Sequence, residues 1–438
     1  MQELQMYRST PFEKVLLFLA VVSILFEPYL PFLGGASTAF YIFSFIMGYT
    51  LFMRLNEFRV IVKSKYFMAT IGFVLVCVFM ESIHLYPSYI DIFRFMNMAL
   101  GMFCIAVLCR DKKAIDVIIY TFILSTAIHA VYMMLGPMSS LNSMSAAQGF
   151  DEASKARIQA FEEFTIHDYL NQTSVFSGLG TILAIIAWYY ESVKIKRWFL
   201  LAVILFSMIG TFLPTSRTGA LVLFVSLIAF AVKTKVKIKK WIMPTIIVGL
   251  LIFFIVPEVV WVRISSVGRI SELREADSRV KMYTTIVQML QKYILTGVGC
   301  GNYWKHWAVD NGLTNIMTIY EPLAPHNAFL MIWIFWGLPA FLAFIYLMFV
   351  FSNALEKNIF HNRQKASVYI FILMIPVIYL FYSRFHHKVF SVGIGMMLGA
   401  RFWNIFDEEK EESETDSYIS TDTLDQGTEE KITPHIEA

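Results

Sequence analysis

The sequence predicts an all-α polytopic membrane protein, with about twelve transmembrane helices and a large external loop of amphipathic helices. Three observations carry that expectation. The chain is 57% hydrophobic and 16% charged, with a mean hydropathy of +0.60, outside the range of ordinary soluble domains. Apolar runs long enough to cross roughly 30 Å of hydrocarbon recur along it, and helices satisfy their own backbone groups there. Lysines and arginines gather in alternate connections. This composition excludes a soluble globular enzyme, and no nucleic-acid partner is expected.

The spans are predicted at about 14–33, 36–53, 66–82, 91–109, 115–135, 174–192, 198–213, 217–232, 241–256, 326–351, 366–383 and 388–406. No small-residue cleavage site follows the first run, so it reads as a retained helix. Arg54, Arg59, Lys63 and Lys65 follow the second span, and Arg110, Lys112 and Lys113 the fourth. Lys194, Lys196 and Arg197 follow the sixth, Lys233 to Lys240 the eighth, and Lys357, Arg363 and Lys365 the tenth. The positive-inside rule makes all five loops cytoplasmic and puts both termini inside.

The expected organisation follows. Residues 1–256 hold helices one to nine with an external loop at 136–173, and residues 257–325 form a large external loop. Residues 326–406 hold the last three helices, and 407–438 form a disordered, acidic cytoplasmic tail. Helix-like stretches are expected around Ala153–Phe164 and in the second loop, lying against the membrane. The four cysteines have neither metal-ligand spacing nor a disulfide framework, and read as buried small hydrophobes.

Polar side chains at the predicted outer face carry the chemistry. The tight hairpin Pro214–Gly219 sets Arg217 at the lip of the bilayer, where a snorkelling anchor is the bland alternative. Arg279 stands at a helix start, after Asp277 and Ser278, and an amphipathic run continues to Tyr293. A guanidinium keeps its charge and forks onto phosphate oxygens, so two converging arginines suit a lipid-linked diphosphate. His326 titrates near neutrality and can accept a proton from a hydroxyl, although a helix-capping histidine beside Asn327 is the plainer reading. Arg94, Arg274, Arg384 and Asn327 complete the set as substrate-binding candidates. A solvated face also accounts for Arg274, with Arg263 and Arg269. Snorkelling or headgroup contact equally explains Arg94 and the group Arg384, His386 and His387. The run Gly297-Val298-Gly299-Cys300-Gly301 lacks the lysine and the strand–turn–helix setting of a nucleotide loop, and reads as a tight turn.

Three segments resemble the bacterial O-antigen ligase and polymerase superfamily. Ser216-Arg217-Thr218-Gly219 is similar to a Ser-Arg-x-Gly signature that opens a span before the large loop. Ser278-Arg279 with its helix, followed by Leu295 to Tyr303, resembles an arginine helix ending in a Gly-x-Gly-x-Gly turn. His326-Asn327, nine residues and Gly337 resemble the His-Asn-x9-Gly-x-x-Gly motif of ligases, with Ala340 departing at the last position.

That resemblance covers roughly residues 210–340. It implies a GT-C-like membrane glycosyltransferase that takes a glycan from undecaprenyl diphosphate at the outer face of the inner membrane, without a metal ion or other cofactor. Arg217 and Arg279 would hold the diphosphate, and His326 would act as general base in an inverting transfer. Implied partners are the lipid-linked oligosaccharide donor, a glycan or lipid A–core acceptor, membrane lipids and a chain-length regulator. Ala340 favours a repeat-unit polymerase, with the ligase as alternative. A lipid-linked oligosaccharide transporter is the rival from another class; it would place ionisable groups near the bilayer midplane, and the spans here are clean there.

Overall fold

Four of the apolar runs start where the sequence supplies a cap. Thr10 and Glu13 form a reciprocal capping box ahead of Pro11, and Ser64, Asp111 and Asn327 each accept from a backbone N–H in the first turn of their helices. The computed structural model describes residues 8–27, 38–136, 170–214, 216–234, 278–303, 305–306, 326–354, 362–381 and 387–406. Within them lie α1 (Pro11–Leu25), α2 (Thr38–Met53), α3 (Leu55–Val62), α4 (Lys65–Ser82), α5 (Ile90–Leu108) and α6 (Lys112–Leu135). They continue as α7 (Leu170–Tyr190), α8 (Lys194–Phe212), α9 (Arg217–Thr234), α10 (Ser278–Tyr293), α11 (Ala328–Ser352), α12 (Arg363–Phe381) and α13 (Lys388–Phe402).

The described residues are all-helical. Eight of these helices are long and apolar enough to cross a membrane, or nine if α2 and α3, bent by 101° at Arg54, count as one broken span. Eleven of the twelve predicted runs fall on a described helix; the ninth, 241–256, lies outside the described residues. The stretch around Ala153–Phe164 and the acidic tail also lie outside them. Cys77, Cys104 and Cys109 are buried among apolar side chains, as their setting predicts.

The core centres on α7, which packs against α6, α8, α9 and α12. Small residues bring backbones together. A Cβ on Gly395 or Gly399 of α13 would stand 2.7 Å and 2.5 Å from the carbonyls of Met102 and Cys109, so α13 lies directly against α5.

Side-chain contacts sort the helix ends into two poles. At one, Glu13 opens α1, Arg54 follows α2 and Arg110 follows α5, and the three meet in an ion cluster. Arg363 at the start of α12 pairs with Asp116 at the start of α6. Arg197 covers the Trp188 ring, and Lys233 that of Tyr369. The basic connections therefore share one pole, as the charge pattern predicts. At the other pole Lys388 pairs with Glu27, and the Ser174 hydroxyl donates to the Thr211 carbonyl.

One element departs from expectation. The tenth run was expected as a single span, and it breaks at Gly337, whose φ of 71° and ψ of −174° are not helical. Phe329 and Phe344 would stand about 22 Å apart along a straight helix, yet their ring centroids are 5.6 Å apart. Trp333 stacks on Phe341 at 4.7 Å. Pro339 is the physical cause: it has no N–H for the ladder and crowds the preceding turn.

Candidate functional site

The break in α11 frees backbone groups, and a loop from elsewhere fills them. In an unbroken helix the Ile334 carbonyl would accept from residue 338, whereas the Phe335 carbonyl would find no donor, because Pro339 has no N–H. Here Val298 N–H donates to Ile334 O and Gly299 N–H to Phe335 O, both at 2.8 Å. The released Leu338 N–H donates to Ile294 O at 3.0 Å, and the Trp333 indole N–H donates to the same carbonyl. The glycine turn after α10 is thus docked into the gap as an exchange of buried polar partners. Its own start is a helix stop, with Gly297 at φ 68° and its N–H on Tyr293 O. A Cβ on Gly297 would meet Phe335 O at 2.5 Å, and one on Gly337 would run into Leu295 O.

A buried carboxylate fastens the other side of that turn. Glu81, at the end of α4, is fully buried. It accepts from Trp336 Nε1 at 2.7 Å, Ser88 N at 2.7 Å and Cys300 N at 2.9 Å. The neighbouring Asp91, at the start of α5, accepts from Cys300 Sγ at 3.1 Å and from Arg94. Burial, then the Asp91 carboxylate, pushes the Cys300 thiol well above its ordinary pKa.

His326 and Asn327 lead directly into the broken helix. Asn327 is its N-cap, with Oδ1 accepting from Leu330 N at 3.0 Å. His326 is half-buried, and its carbonyl accepts from the Tyr283 hydroxyl at 3.5 Å. Tyr283 lies on α10 four residues after Arg279, so helix periodicity puts the two positions on one face. The arginine helix and the histidine are thereby brought together, which sequence order alone left open.

Arg217 is half-buried at the first position of α9, whose opening turn packs on α7 through Gly219 and Ser174. A run of ring contacts joins this corner to the histidine helix. Phe329 meets Tyr379, Tyr379 meets Phe390, and Phe390 and Phe176 both meet His387. His387 itself is buried and caps α13. Arg94 is largely exposed and pairs with Asp91 within its own helix. Arg274 and Arg384 lie outside the described residues. Among the described residues, no group of three or more His, Cys, Asp or Glu is placed to hold a metal ion.

Sequence reasoning missed Glu81, Trp336 and Tyr283. Glu81 had a readable signal, since an acid at the end of an otherwise uncharged apolar run is a functional candidate by cost alone. The other two had none, because their partners lie 255 and 43 residues away.

A polytopic membrane protein, all-helical among the described residues, with a glycine turn docked into a broken helix that follows a histidine, is what the fold and site define. Residues 200–345 match a family model described as O-antigen ligase. The match takes in Arg217, Arg279, the glycine turn, His326 and the break at Gly337. No curated protein matches the chain.

Proposed function

We propose that this protein is a membrane glycosyltransferase that moves a glycan from undecaprenyl diphosphate to a sugar hydroxyl at the outer face of the cytoplasmic membrane, polymerising repeat units. The observation that carries it is the docking of the arginine-bearing α10 against His326, held by the glycine turn in the α11 break. Twelve spans in a GT-C-like arrangement go with it, with the basic loops, both termini and the acidic tail inside, and residues 257–325 outside.

The chemistry needs little more. The acceptor hydroxyl attacks the anomeric carbon, the bond to the diphosphate oxygen breaks, and the carrier leaves as undecaprenyl diphosphate. His326 takes the hydroxyl proton, and a single displacement inverts the anomeric centre. Arg217 and Arg279 hold the diphosphate and balance the charge that builds on the leaving oxygen. Arg94, Arg274, Arg384 and Asn327 would line the approach of donor or acceptor. The loop folds over the reaction and keeps water from hydrolysing the donor.

The second reading is a ligase that transfers the finished glycan to lipid A–core, and the description of the matching family favours it. The buried Ala340, where the ligase motif ends in another residue, favours the polymerase. Glycans of a deletion strain, run beside the complemented strain, decide between them. Single repeat units in place of a ladder mean a polymerase, and polymer stranded on the carrier means a ligase. His326→Ala, inserted at normal levels, should reproduce the deletion pattern. A normal ladder from that variant, or an unchanged deletion pattern, overturns the assignment and brings the transporter forward.

A further inference from the structure

A cavity of about 490 Å³ opens beside the glycine turn, between the α4–α5 connection and the end of α10. That volume is in the range of small-ligand sites, about 300–1,000 Å³. Its walls carry Tyr86, Tyr293, His84, His306, Asn302 and Lys305. None of these belongs to the machinery proposed above.

The polar groups are held in place. Lys305 Nζ lies 3.6 Å from the centre of the Tyr86 ring. The His306 and Tyr293 rings meet at 4.8 Å. His84 Nε2 lies 3.2 Å from the Thr296 carbonyl, and buried Asn302 donates to the Tyr86 carbonyl at 3.5 Å. Two phenol rings lining one cavity with planar imidazole and amide groups match the faces and hydroxyls of a sugar. They match a diphosphate poorly, because the described lining has no arginine to fork onto phosphate oxygens.

Position argues the same way. Tyr283 touches His326, and Tyr293 lines the cavity ten residues later on the same helix, about 15 Å further along its axis. A glycan with its reacting end at His326 would run along α10 into this cavity.

We propose that this cavity is a carbohydrate subsite that grips the glycan several sugars away from the reacting bond. The subsite rests on the transferase reading and names which part of the substrate is recognised apart from the carrier. It orients the chain and contributes binding shared by ground and transition states, so it acts on KM.

The test uses the full-length protein in nanodiscs. The probe is the strain's own repeat-unit oligosaccharide, released from its carrier by mild acid. Lys305→Ala/His306→Ala should weaken its binding at least tenfold and raise KM for the lipid-linked oligosaccharide by a similar factor, with kcat within about twofold. His326→Ala should bind the oligosaccharide as the parent does while transfer is lost. If the double variant lowers the melting temperature, Lys305→Gln/His306→Gln serves instead, and it should still raise KM at least threefold. Unchanged binding and KM in a variant that melts like the parent overturns the subsite and leaves the transferase standing. A His326→Ala variant with a normal ladder overturns the transferase reading, and oligosaccharide binding to the cavity is still read independently.

Discussion

The two poles each bury a glutamate, and they satisfy it in opposite ways. At the basic pole Glu13 faces Arg54 Nε and Arg110 Nη2, both at 2.6 Å, and Glu57 shares the same guanidiniums at 3.3 Å and 3.4 Å. At the other pole Glu81 has an indole and backbone N–H groups among its partners. Charge against charge locks three helix ends to one another. A carboxylate met by neutral donors does something else, because those donors sit on a loop, a turn and a broken helix with no regular ladder of their own. The first arrangement is a bolt for the fold. The second is a clasp that gathers irregular backbone into one shape, and the turn it holds follows α10, whose Tyr283 reaches His326.

Breaking the bolt should have the largest effect. Glu13→Ala takes from Arg110, whose side chain is fully buried, the carboxylate it meets at 2.6 Å. Removing one partner of a buried pair costs about 3–5 kcal/mol. Thermal unfolding of the purified protein should show it, together with a lower yield in the membrane. An unchanged midpoint would mean that the cluster adds nothing to the fold, and the comparison would collapse.

Breaking the clasp should be milder on the fold and harsher on transfer. Gly337→Ala places a side chain at φ 71° and against the Leu295 carbonyl. The strain is of order 1–3 kcal/mol, and the glycine turn must leave the gap. Transfer should fall at least tenfold while the protein inserts normally. Glu81→Gln is smaller again, about 1–2 kcal/mol, because charge-assisted bonds become neutral ones while one acceptor oxygen survives. Transfer assayed at matched protein levels checks both. A Glu81→Gln variant as active as the parent would detach the clasp from function.

The bolt and the clasp also differ in how far each could be read from the chain. Helix positions were legible because hydropathy acts locally, and the structure adds caps near the start of three of those runs, Thr10 with Glu13, Ser64 and Asp111. The shared pole of the basic loops was legible for the same reason. The break at Gly337 was only half legible, since Gly337 and Pro339 were in view, but a span of 25 largely apolar residues outweighed them. The clasp was hidden. Glu81 is 219 residues from Cys300 and 255 from Trp336, and no periodicity encodes a pairing at that separation. His326 and Asn327 were legible as types, whereas their meeting with α10 through Tyr283 exists only in three dimensions.

The smallest effect gives the sharpest reading of whether the clasp is closed. Cys300 sits inside it, with its backbone N–H on Glu81 and its thiol on Asp91. Burial and the Asp91 charge raise its pKa, so at neutral pH it holds less thiolate than a free cysteine and should react slowly with a maleimide. Cys77, Cys104 and Cys109 are buried among helices, so labelling reports on Cys300. Raising the pH should speed the reaction, because the thiolate fraction grows toward the elevated pKa. Glu81→Gln should speed it several-fold at constant pH, by releasing the backbone that holds the thiol against Asp91. Glu13→Ala, assayed below its melting temperature, should leave the rate unchanged, because the bolt is at the other pole. If Cys300 in the parent reacts as fast as a free thiol, the turn is not held. If Glu13→Ala accelerates it as much as Glu81→Gln does, the two poles are one cooperative unit and the division between bolt and clasp is wrong.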